Sequence, residues 1–163
     1  MVVWVFDLDN TIYNTSNVIY DQISKDNYLH CLINNLDGPK FVFTNATMGH
    51  ARMVLSKLGI EELMDDIIDR NAMGALKPHN NAFQYFIRHI QTKNNLKIMR
   101  QTKFVFFEDN IDNLVAAKIR HQWTTVLISK YKKHNRYVDF IYKDIHSAIE
   151  SFSFNPGKCF SMR

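Results

Sequence analysis

Two aspartates stand two positions apart near the start of the chain, directly after an apolar segment. Residues 2–6 read Val-Val-Trp-Val-Phe, and Asp7 and Asp9 follow. Two carboxylates at the end of a strand can reach one small volume, where they repel each other unless a cation neutralises them. Mg²⁺ suits such a place because it binds one or two carboxylates together with a phosphate, and an aspartate beside it can act as a nucleophile. On its own, the pattern fits an ordinary turn after a strand equally well.

Three further segments carry polar residues that chemistry of this kind needs. They are 41–45 (Phe-Val-Phe-Thr-Asn), 77–78 (Lys-Pro) and 104–110 (Phe-Val-Phe-Phe-Glu-Asp-Asn). The first and last of them again place polar groups at the end of an apolar strand. In an open parallel sheet the ligand site lies at the carboxyl ends of the strands. We therefore expect these segments to converge with Asp7 and Asp9 on one site.

Apolar strand segments alternate with helical segments, which is typical of an α/β fold with a parallel sheet and crossover helices. The predicted strands are 2–7, 40–44, 67–69, 103–108, 123–129 and 138–142, and the predicted helices are 26–36, 47–58, 79–91, 110–120 and 144–152. Gly59 is the predicted end of the second helix, and Pro78 suits the first position of the third. Phe83 and Phe86 fit the core better than a base-stacking surface.

This ordered set of segments resembles the haloacid dehalogenase superfamily, whose phosphatases and phosphotransferases use a catalytic aspartate. The resemblance covers nearly the whole chain and implies a three-layer, doubly wound parallel sheet with a Rossmann-like core. The positions that match the four family motifs are Asp7, Asp9 and Thr11, then Thr44, then Lys77, and then Glu108 with Asp109. Within the superfamily, residues 7–13, 43–60 and 107–114 are similar to the pyrimidine 5′-nucleotidase branch.

The resemblance implies a Mg²⁺-dependent phosphatase that hydrolyses phosphate monoesters, such as nucleoside monophosphates, through a phosphoaspartate. Asp7 would be the nucleophile, and Asp9 would serve first as general acid and then as general base. Lys77 would neutralise both the nucleophile and the phosphate. The implied metal ligands are Asp7, Asp109 and the backbone carbonyl of Asp9, and Glu108 would bind or orient metal-bound water.

Thr44 and Asn45 precede a predicted helix and resemble a phosphate cradle made of a hydroxyl and a backbone N–H. The alternative is that one of them is the N-cap of that helix. Thr11 and Asn113 are expected to brace the loops that carry the catalytic residues. His50 follows the phosphate loop, and the sequence leaves open whether it faces the site or has a structural role.

Members of the nucleotidase branch insert a helical cap domain between the first two motifs. Here residues 12–43 must also supply a crossover helix and a strand, so only 13–25 remain for a flap or vestigial cap. We therefore predict one core domain, 1–152, and a loose tail, 153–163. Such an open site also admits a macromolecular phosphate, on a protein or a nucleic-acid end, unless a neighbouring subunit of a homo-oligomer covers it.

Composition further limits the classes of protein to which the chain is expected to belong. The 163 residues are 46% hydrophobic, and the start lacks the features of a signal peptide. No apolar run approaches the roughly 18 residues of a membrane span. The two cysteines show no metal-ligand spacing, and we interpret them as free thiols in a reducing, cytoplasmic compartment.

The net charge is +4, and residues 130–136 form a basic loop. This loop is either a solvated surface or a patch that steers polyanions to the site. There is no recognition-helix signature, so sequence-specific nucleic-acid binding is not expected. A non-catalytic phosphate-binding or scaffold protein is a further alternative, against which the complete set of Asp7, Asp9, Lys77 and Asp109 argues.

Overall fold

The computed structural model describes residues 1–15, 22–131, 135–153 and Cys159. Within these ranges the strands are β1 (Val2–Phe6), β2 (Lys40–Phe43), β3 (Asp66–Ile68), β4 (Lys103–Glu108), β5 (Thr124–Ile128) and β6 (Phe140–Tyr142). The α-helices are α1 (Asn27–Asn34), α2 (Met48–Leu58), α3 (Arg70–Met73), α4 (Asn80–Thr92), α5 (Ile111–His121) and α6 (Ile145–Phe152), and Glu61–Leu63 form a 3₁₀-helix.

The strands form one parallel sheet with the order β3-β2-β1-β4-β5-β6. The chain starts at the centre with β1, runs outward through β2 and β3, returns to β4 beside β1, and continues to β6. The direction of winding therefore reverses between β1 and β4. The crevice at the carboxyl ends of two such strands is where open α/β sheets bind their ligands. The predicted α/β fold with a parallel sheet is confirmed.

Helices pack on both faces of the sheet, which gives the three layers that were expected. Trp4 and Phe6 of β1 belong to one hydrophobic core together with α1, α2 and α6. Val3 and Val5 belong to a second core together with α3, α4 and α5. Because successive strand residues point to opposite faces and both faces are covered, β1 is apolar along its whole length.

Aromatic side chains dominate the second core. The ring of Phe43 in β2 lies 4.8 Å from that of Phe86 in α4, and Phe83 of α4 lies 6.3 Å from Phe106 of β4. All four side chains are fully buried, and each contributes roughly 1.5–3 kcal/mol of hydrophobic stabilisation. Phe83 and Phe86 are therefore core residues, as predicted, and they fix the ends of β2 and β4 against α4.

The predicted helix boundaries had mixed outcomes. Gly59 ends α2 with a φ of 70°, a left-handed conformation that glycine adopts at little cost, as predicted. The position predicted for Pro78 is wrong, because α4 begins at Asn80 with His79 as its N-cap. The sequence pattern does not reveal α3 or the 3₁₀-helix, because segments of four and three residues are too short to show the apolar repeat of a helix. None of the helices in the described ranges is both long and apolar enough to cross a membrane.

Cys31 of α1 and Cys159 form a disulfide bond, with their Cα atoms 5.7 Å apart. The prediction of two free thiols is therefore wrong, and the inference of a reducing, cytoplasmic compartment loses its support. Cys159 is also buried. The tail predicted to be loose is thus attached to α1 at this position, while 154–158 and 160–163 lie outside the described residues.

Candidate active site

The segments predicted to converge do meet, at the carboxyl ends of β1, β2 and β4. They line a cleft of about 530 Å³. The predicted site residues along its wall are Asp7, Asp9, Thr44, Asn45, Glu108, Asp109 and Asn113. Lys77 is buried next to this wall and contacts two of these residues.

Lys77 is held by three oxygen atoms. Its Nζ donates to Asp7 Oδ1 at 2.7 Å, to Glu108 Oε2 at 2.8 Å and to the backbone carbonyl of Phe43 at 2.6 Å. These bonds use all three ammonium hydrogens. The rings of Phe43 and Phe106 lie 5.1 and 5.2 Å from the same atom, close enough for cation–π attraction. The Lys77 ammonium is therefore fixed, unlike that of an ordinary surface lysine.

The acidic groups around Lys77 outnumber it. Burial raises the pKa of Asp7 to about 7, and the nearby Glu108 adds to this effect while Lys77 opposes it. Burial also raises the pKa values of Glu108 and Asp109. For Lys77, burial alone would lower the pKa, but the charges of Asp7 and Glu108 outweigh it and raise the pKa. The cluster therefore brings three carboxyl groups to one ammonium, and an added cation would favour their ionised forms.

Glu108 organises the loop after β4. Its Oε1 accepts the backbone N–H groups of Asp109 and Asn110, both at 3.1 Å. Its Oε2 accepts Nδ2 of Asn113 at 2.9 Å, in addition to the bond from Lys77. With both oxygens engaged, Glu108 is better placed to orient the site than to contribute a free carboxylate. Asn113 links α5 to this loop through the same bond.

The acidic groups of the cluster together fit a hydrated divalent cation. One carboxylate oxygen each from Asp7, Glu108 and Asp109 lies within 4.8 Å of the others. The Oδ1 atom of Asn113 is buried and has no hydrogen-bond partner within the described part of the chain. An acceptor of that kind beside three carboxylates suits a metal-bound water, and oxygen ligands are what Mg²⁺ prefers.

Asp9 is anchored by two side chains from other segments. Its Oδ1 accepts the hydroxyl of Tyr13 at 2.6 Å and Nε2 of His50 at 2.8 Å. About a third of the Asp9 side chain stays exposed, and it lines the cleft. His50 of α2 therefore does face the site. The sequence did not indicate a role for Tyr13, because nothing in the residues around it predicts a contact with Asp9.

The phosphate loop follows β2. The Thr44 hydroxyl accepts the backbone N–H of Ala46 at 3.0 Å, which leaves its own proton free to be donated. Asn45 joins this loop to the next motif, since its side chain accepts the N–H of Lys77 at 2.9 Å and donates to the Lys77 carbonyl at 3.0 Å. The N-cap of α2 is Thr47. The alternative that Thr44 or Asn45 is the cap is therefore wrong.

Two other expectations have a partial answer. Thr11 is buried, and its hydroxyl has no hydrogen-bond partner within the described residues, so its bracing role stays a prediction. Residues 16–21 of the predicted flap and 132–134 of the basic loop lie outside the described residues. The roles predicted for 13–25 and 130–136 stay predictions.

Arg70 also lines the cleft and has no counterpart in the sequence-based expectations. It is the first residue of α3, a helix of four residues that the sequence pattern does not reveal. In the sequence, Arg70 stands in an apparent loop between two motifs, and nothing in the neighbouring residues indicates that it reaches the site. Only the sheet order brings it to the cleft that Thr44 and Asp7 also line.

Comparison with known proteins gives a fold but no sequence relative. No protein-family model and no curated protein matches the chain. The structure of L-2-haloacid dehalogenase from Xanthobacter autotrophicus matches with a TM-score of 0.67 and 10% identity, over 92% of this chain and 97% of the other. A HAD phosphatase from Thermococcus onnurineus matches with a TM-score of 0.63 and 15% identity, over 93% and 98%.

A structure of the Xanthobacter enzyme with chloropropionic acid covalently bound matches with a TM-score of 0.56 and 12% identity, over 75% of this chain. In that comparison the chain spans 58% of the length of the dehalogenase. Identities this low bear on architecture and leave the reaction open. Since two of these structures match over nearly their whole length, the chain has the fold of the L-2-haloacid dehalogenase and of the HAD phosphatase.

Proposed function

We propose that this protein is a Mg²⁺-dependent phosphatase that hydrolyses phosphate monoesters through a phosphoaspartate on Asp7. The observation that carries the proposal is the buried Lys77 bridge between Asp7 and Glu108, with Asp109 beside it. Charged groups are costly to bury, so a network of this kind is weak evidence for stability and a good indicator of a functional site. Its place at the ligand crevice of the sheet supports the same conclusion.

The chain offers a complete set of groups to hold the ion. Asp7, Asp109 and the backbone carbonyl of Asp9 would bind Mg²⁺, and Glu108 and Asn113 would orient its water molecules. When bound, Mg²⁺ supplies positive charge that holds the substrate phosphate and offsets the surrounding carboxylates.

The reaction has two steps. In the first, a carboxylate oxygen of Asp7 attacks phosphorus, the bond from phosphorus to the leaving oxygen breaks, and Asp9 gives that oxygen its proton. In the second, Asp9 takes a proton from water, the water oxygen attacks phosphorus, and the bond to Asp7 breaks. Inorganic phosphate leaves, Asp7 is restored as a carboxylate and Asp9 as an acid.

The residues around Asp7 and Asp9 would support these two steps. Lys77 holds Asp7 in one orientation and favours its ionised, nucleophilic form. The Thr44 hydroxyl and the Asn45 backbone N–H would donate to the phosphate oxygens as charge moves onto them. Tyr13 and His50 hold Asp9 toward the cleft, where a leaving oxygen must receive its proton.

The fold also hosts dehalogenases, and the chemistry of the leaving group separates the two reactions. A halide leaves as a stable anion and needs no proton donor, whereas the alkoxide leaving from a phosphate monoester does. Asp9, anchored in the cleft by two side chains, is the acid that a phosphatase needs. Its presence supports phosphate ester hydrolysis over dehalogenation. A non-catalytic phosphate-binding or scaffold protein would have no use for it.

We propose small monoesters, including nucleoside monophosphates, as substrates. The short segment 13–25 favours a second candidate, a phosphate on a protein or a nucleic-acid end, because a segment of this length cannot form a closing cap domain. A panel assayed with Mg²⁺ tests the proposal: p-nitrophenyl phosphate, nucleoside monophosphates, a sugar phosphate, a phosphopeptide and a 5′-phosphorylated oligonucleotide. Phosphate release from the small esters supports it, release from the macromolecules alone supports the second candidate, and binding without turnover indicates a scaffold.

A further inference from the structure

Arg70 brings a positive charge to a cleft whose other fixed charges are negative. Among the described residues that line this cleft, it is the lone lysine or arginine. Its side chain is exposed, whereas Lys77 is buried and fully engaged by Asp7, Glu108 and Phe43. Among the described lysines and arginines at this cleft, Arg70 is therefore the residue whose charged group is still available to a substrate.

The backbone of Arg70 is fixed relative to the phosphate loop. The preceding residue, Asp69, is buried, and its Oδ1 accepts the N–H of Ala72 at 3.1 Å while its Oδ2 accepts the N–H of Met48 at 3.0 Å. The N–H of Arg70 itself donates to the carbonyl of Ala46 at 3.0 Å. The turn after β3 is thus tied to the loop after β2 and to the start of α2, so Arg70 stands at a constant place beside the site.

The Arg70 guanidinium forms no ion pair within the described residues. By contrast, Arg52 on α2 lies 3.8 Å from the carboxylate of Glu61. An unpaired guanidinium offers a planar fork of N–H donors that fits the oxygens of a phosphate or a carboxylate. The scissile phosphate would be held by the Thr44 hydroxyl, the Asn45 backbone N–H and the metal ion, which leaves Arg70 for a different anionic group.

We propose that Arg70 binds a second anionic group of the substrate, a phosphate or a carboxylate remote from the phosphate that is hydrolysed. This inference rests on the proposed phosphatase activity and names its substrate class, monoesters that carry two anionic groups. Arg70 contributes binding and selectivity, while Asp7 and Asp9 carry the chemistry. Its removal therefore raises KM for such substrates and leaves kcat and singly anionic substrates almost unchanged.

The test compares three substrates with the same three-carbon chain: propyl phosphate, 3-(phosphonooxy)propanoate and 1,3-propanediol bisphosphate. The proteins are the wild type, Arg70→Gln and the matched control Arg88→Gln, which changes an exposed arginine on α4. For the wild type we expect kcat/KM to be about tenfold higher with the second anionic group, the size of one exposed charge-assisted contact. Arg70→Gln should lose that preference through KM, and Arg88→Gln should keep it.

The two doubly anionic substrates also distinguish a carboxylate from a phosphate as the preferred group. Equal losses of Arg70→Gln on all three substrates, or no preference in the wild type, would overturn the inference. If the wild type turns over none of the esters, the proposed phosphatase activity fails, and calorimetric binding of 1,3-propanediol bisphosphate then decides. Equal affinity for wild type and Arg70→Gln overturns the role of Arg70, and weaker affinity for the variant alone upholds it.

Discussion

The Nζ atom of Lys77 lies 2.7 Å from Oδ1 of Asp7, and the two side chains are 0% and 9% exposed. The pair joins the end of β1 to the loop before α4. Because Glu108 and the backbone carbonyl of Phe43 contact the same ammonium, Lys77 joins all four segments that form the site. An ammonium shared by two buried carboxylates makes the site sensitive to the loss of any one partner.

Replacing Lys77 by methionine should destabilise the fold. The change leaves Asp7 and Glu108 buried without a counter-charge, and breaking a buried pair in this way costs about 3–5 kcal/mol in the free energy of unfolding. Urea denaturation followed by circular dichroism measures the loss. Lys97→Met is the matched control, because Lys97 is exposed, and we expect it to stay within about 0.5 kcal/mol of the wild type. A similar loss in both variants would contradict the role of the buried bridge.

Asp9→Asn should slow turnover to an extent that depends on the leaving group. As general acid, Asp9 contributes about 10²–10⁴-fold with alkyl phosphates, whose leaving oxygen needs a proton. The p-nitrophenolate ion needs little protonation, so p-nitrophenyl phosphate should lose less. Steady-state kinetics with a series of leaving groups measures the difference. If the loss is the same for every leaving group, Asp9 is not the acid.

Removal of the metal should abolish activity reversibly. EDTA treatment followed by a Mg²⁺ titration is expected to give full recovery, and Asp109→Asn should raise the Mg²⁺ concentration for half-maximal activity by roughly tenfold or more, since it removes a charged ligand. Asp112→Asn is the control, because Asp112 is an exposed aspartate one turn away on α5. Activity that persists in excess EDTA would exclude this chemistry.

A second His–Asp pair gives a pH-dependent contribution to stability. His146 Nε2 lies 2.8 Å from Asp26 Oδ2, and the hydrogen bond to Asp26 raises the pKa of His146. Burial would raise the pKa of Asp26, but the bonds from His146 and from the backbone N–H of Leu29 outweigh it and lower this pKa. The His146 contribution is complete below its unfolded pKa of about 6.5 and is lost as the pH rises through the raised folded value.

The Asp26 contribution to stability depends on pH in the opposite direction. It is complete above the unfolded pKa of about 3.9 and is lost as the pH falls through the lowered folded value. The pair therefore stabilises most between about pH 4 and 6.5. We expect His146→Gln to reduce the free energy of unfolding by about 1 kcal/mol in this window, a modest value because solvent screens the pair. His79→Gln, at an exposed position, is the control, and a pH-independent loss for His146→Gln would argue against the ion pair.

The sequence predicts the sheet and the convergence of the site well, and the reason is local. Each buried strand is a short apolar run, and Asp7, Thr44 and Glu108 stand at the ends of such runs. In a parallel sheet those ends share one edge, so their meeting follows from strand direction alone. Lys77 is different, because only its position in the order of the family motifs suggested its role. In the structure its buried ammonium is held by three oxygen atoms.

Contacts between distant positions are what the sequence does not reveal. Cys31 and Cys159 are 128 positions apart, and two cysteines at that separation carry no sign of pairing. Arg70 and Tyr13 reach the cleft through turns, and the residues of these turns show no helical or strand repeat from which their positions could be predicted. Pro78 fits a helix start in the sequence, but the bonds between Asn45 and the Lys77 backbone hold this stretch in the loop, outside the helix.

Phosphate release from p-nitrophenyl phosphate with Mg²⁺, by the wild type and by Asp7→Asn, tests the central claim most directly. Chloride release from 2-chloropropionate is followed in parallel, and thermal unfolding verifies that the variant is folded. We predict phosphate release by the wild type, a loss of roughly 10⁴-fold or more in Asp7→Asn because the nucleophile is gone, and no chloride release. Phosphate release by Asp7→Asn at the wild-type rate, or chloride release without phosphate release, would contradict the assignment of this protein as a phosphatase with Asp7 as its nucleophile.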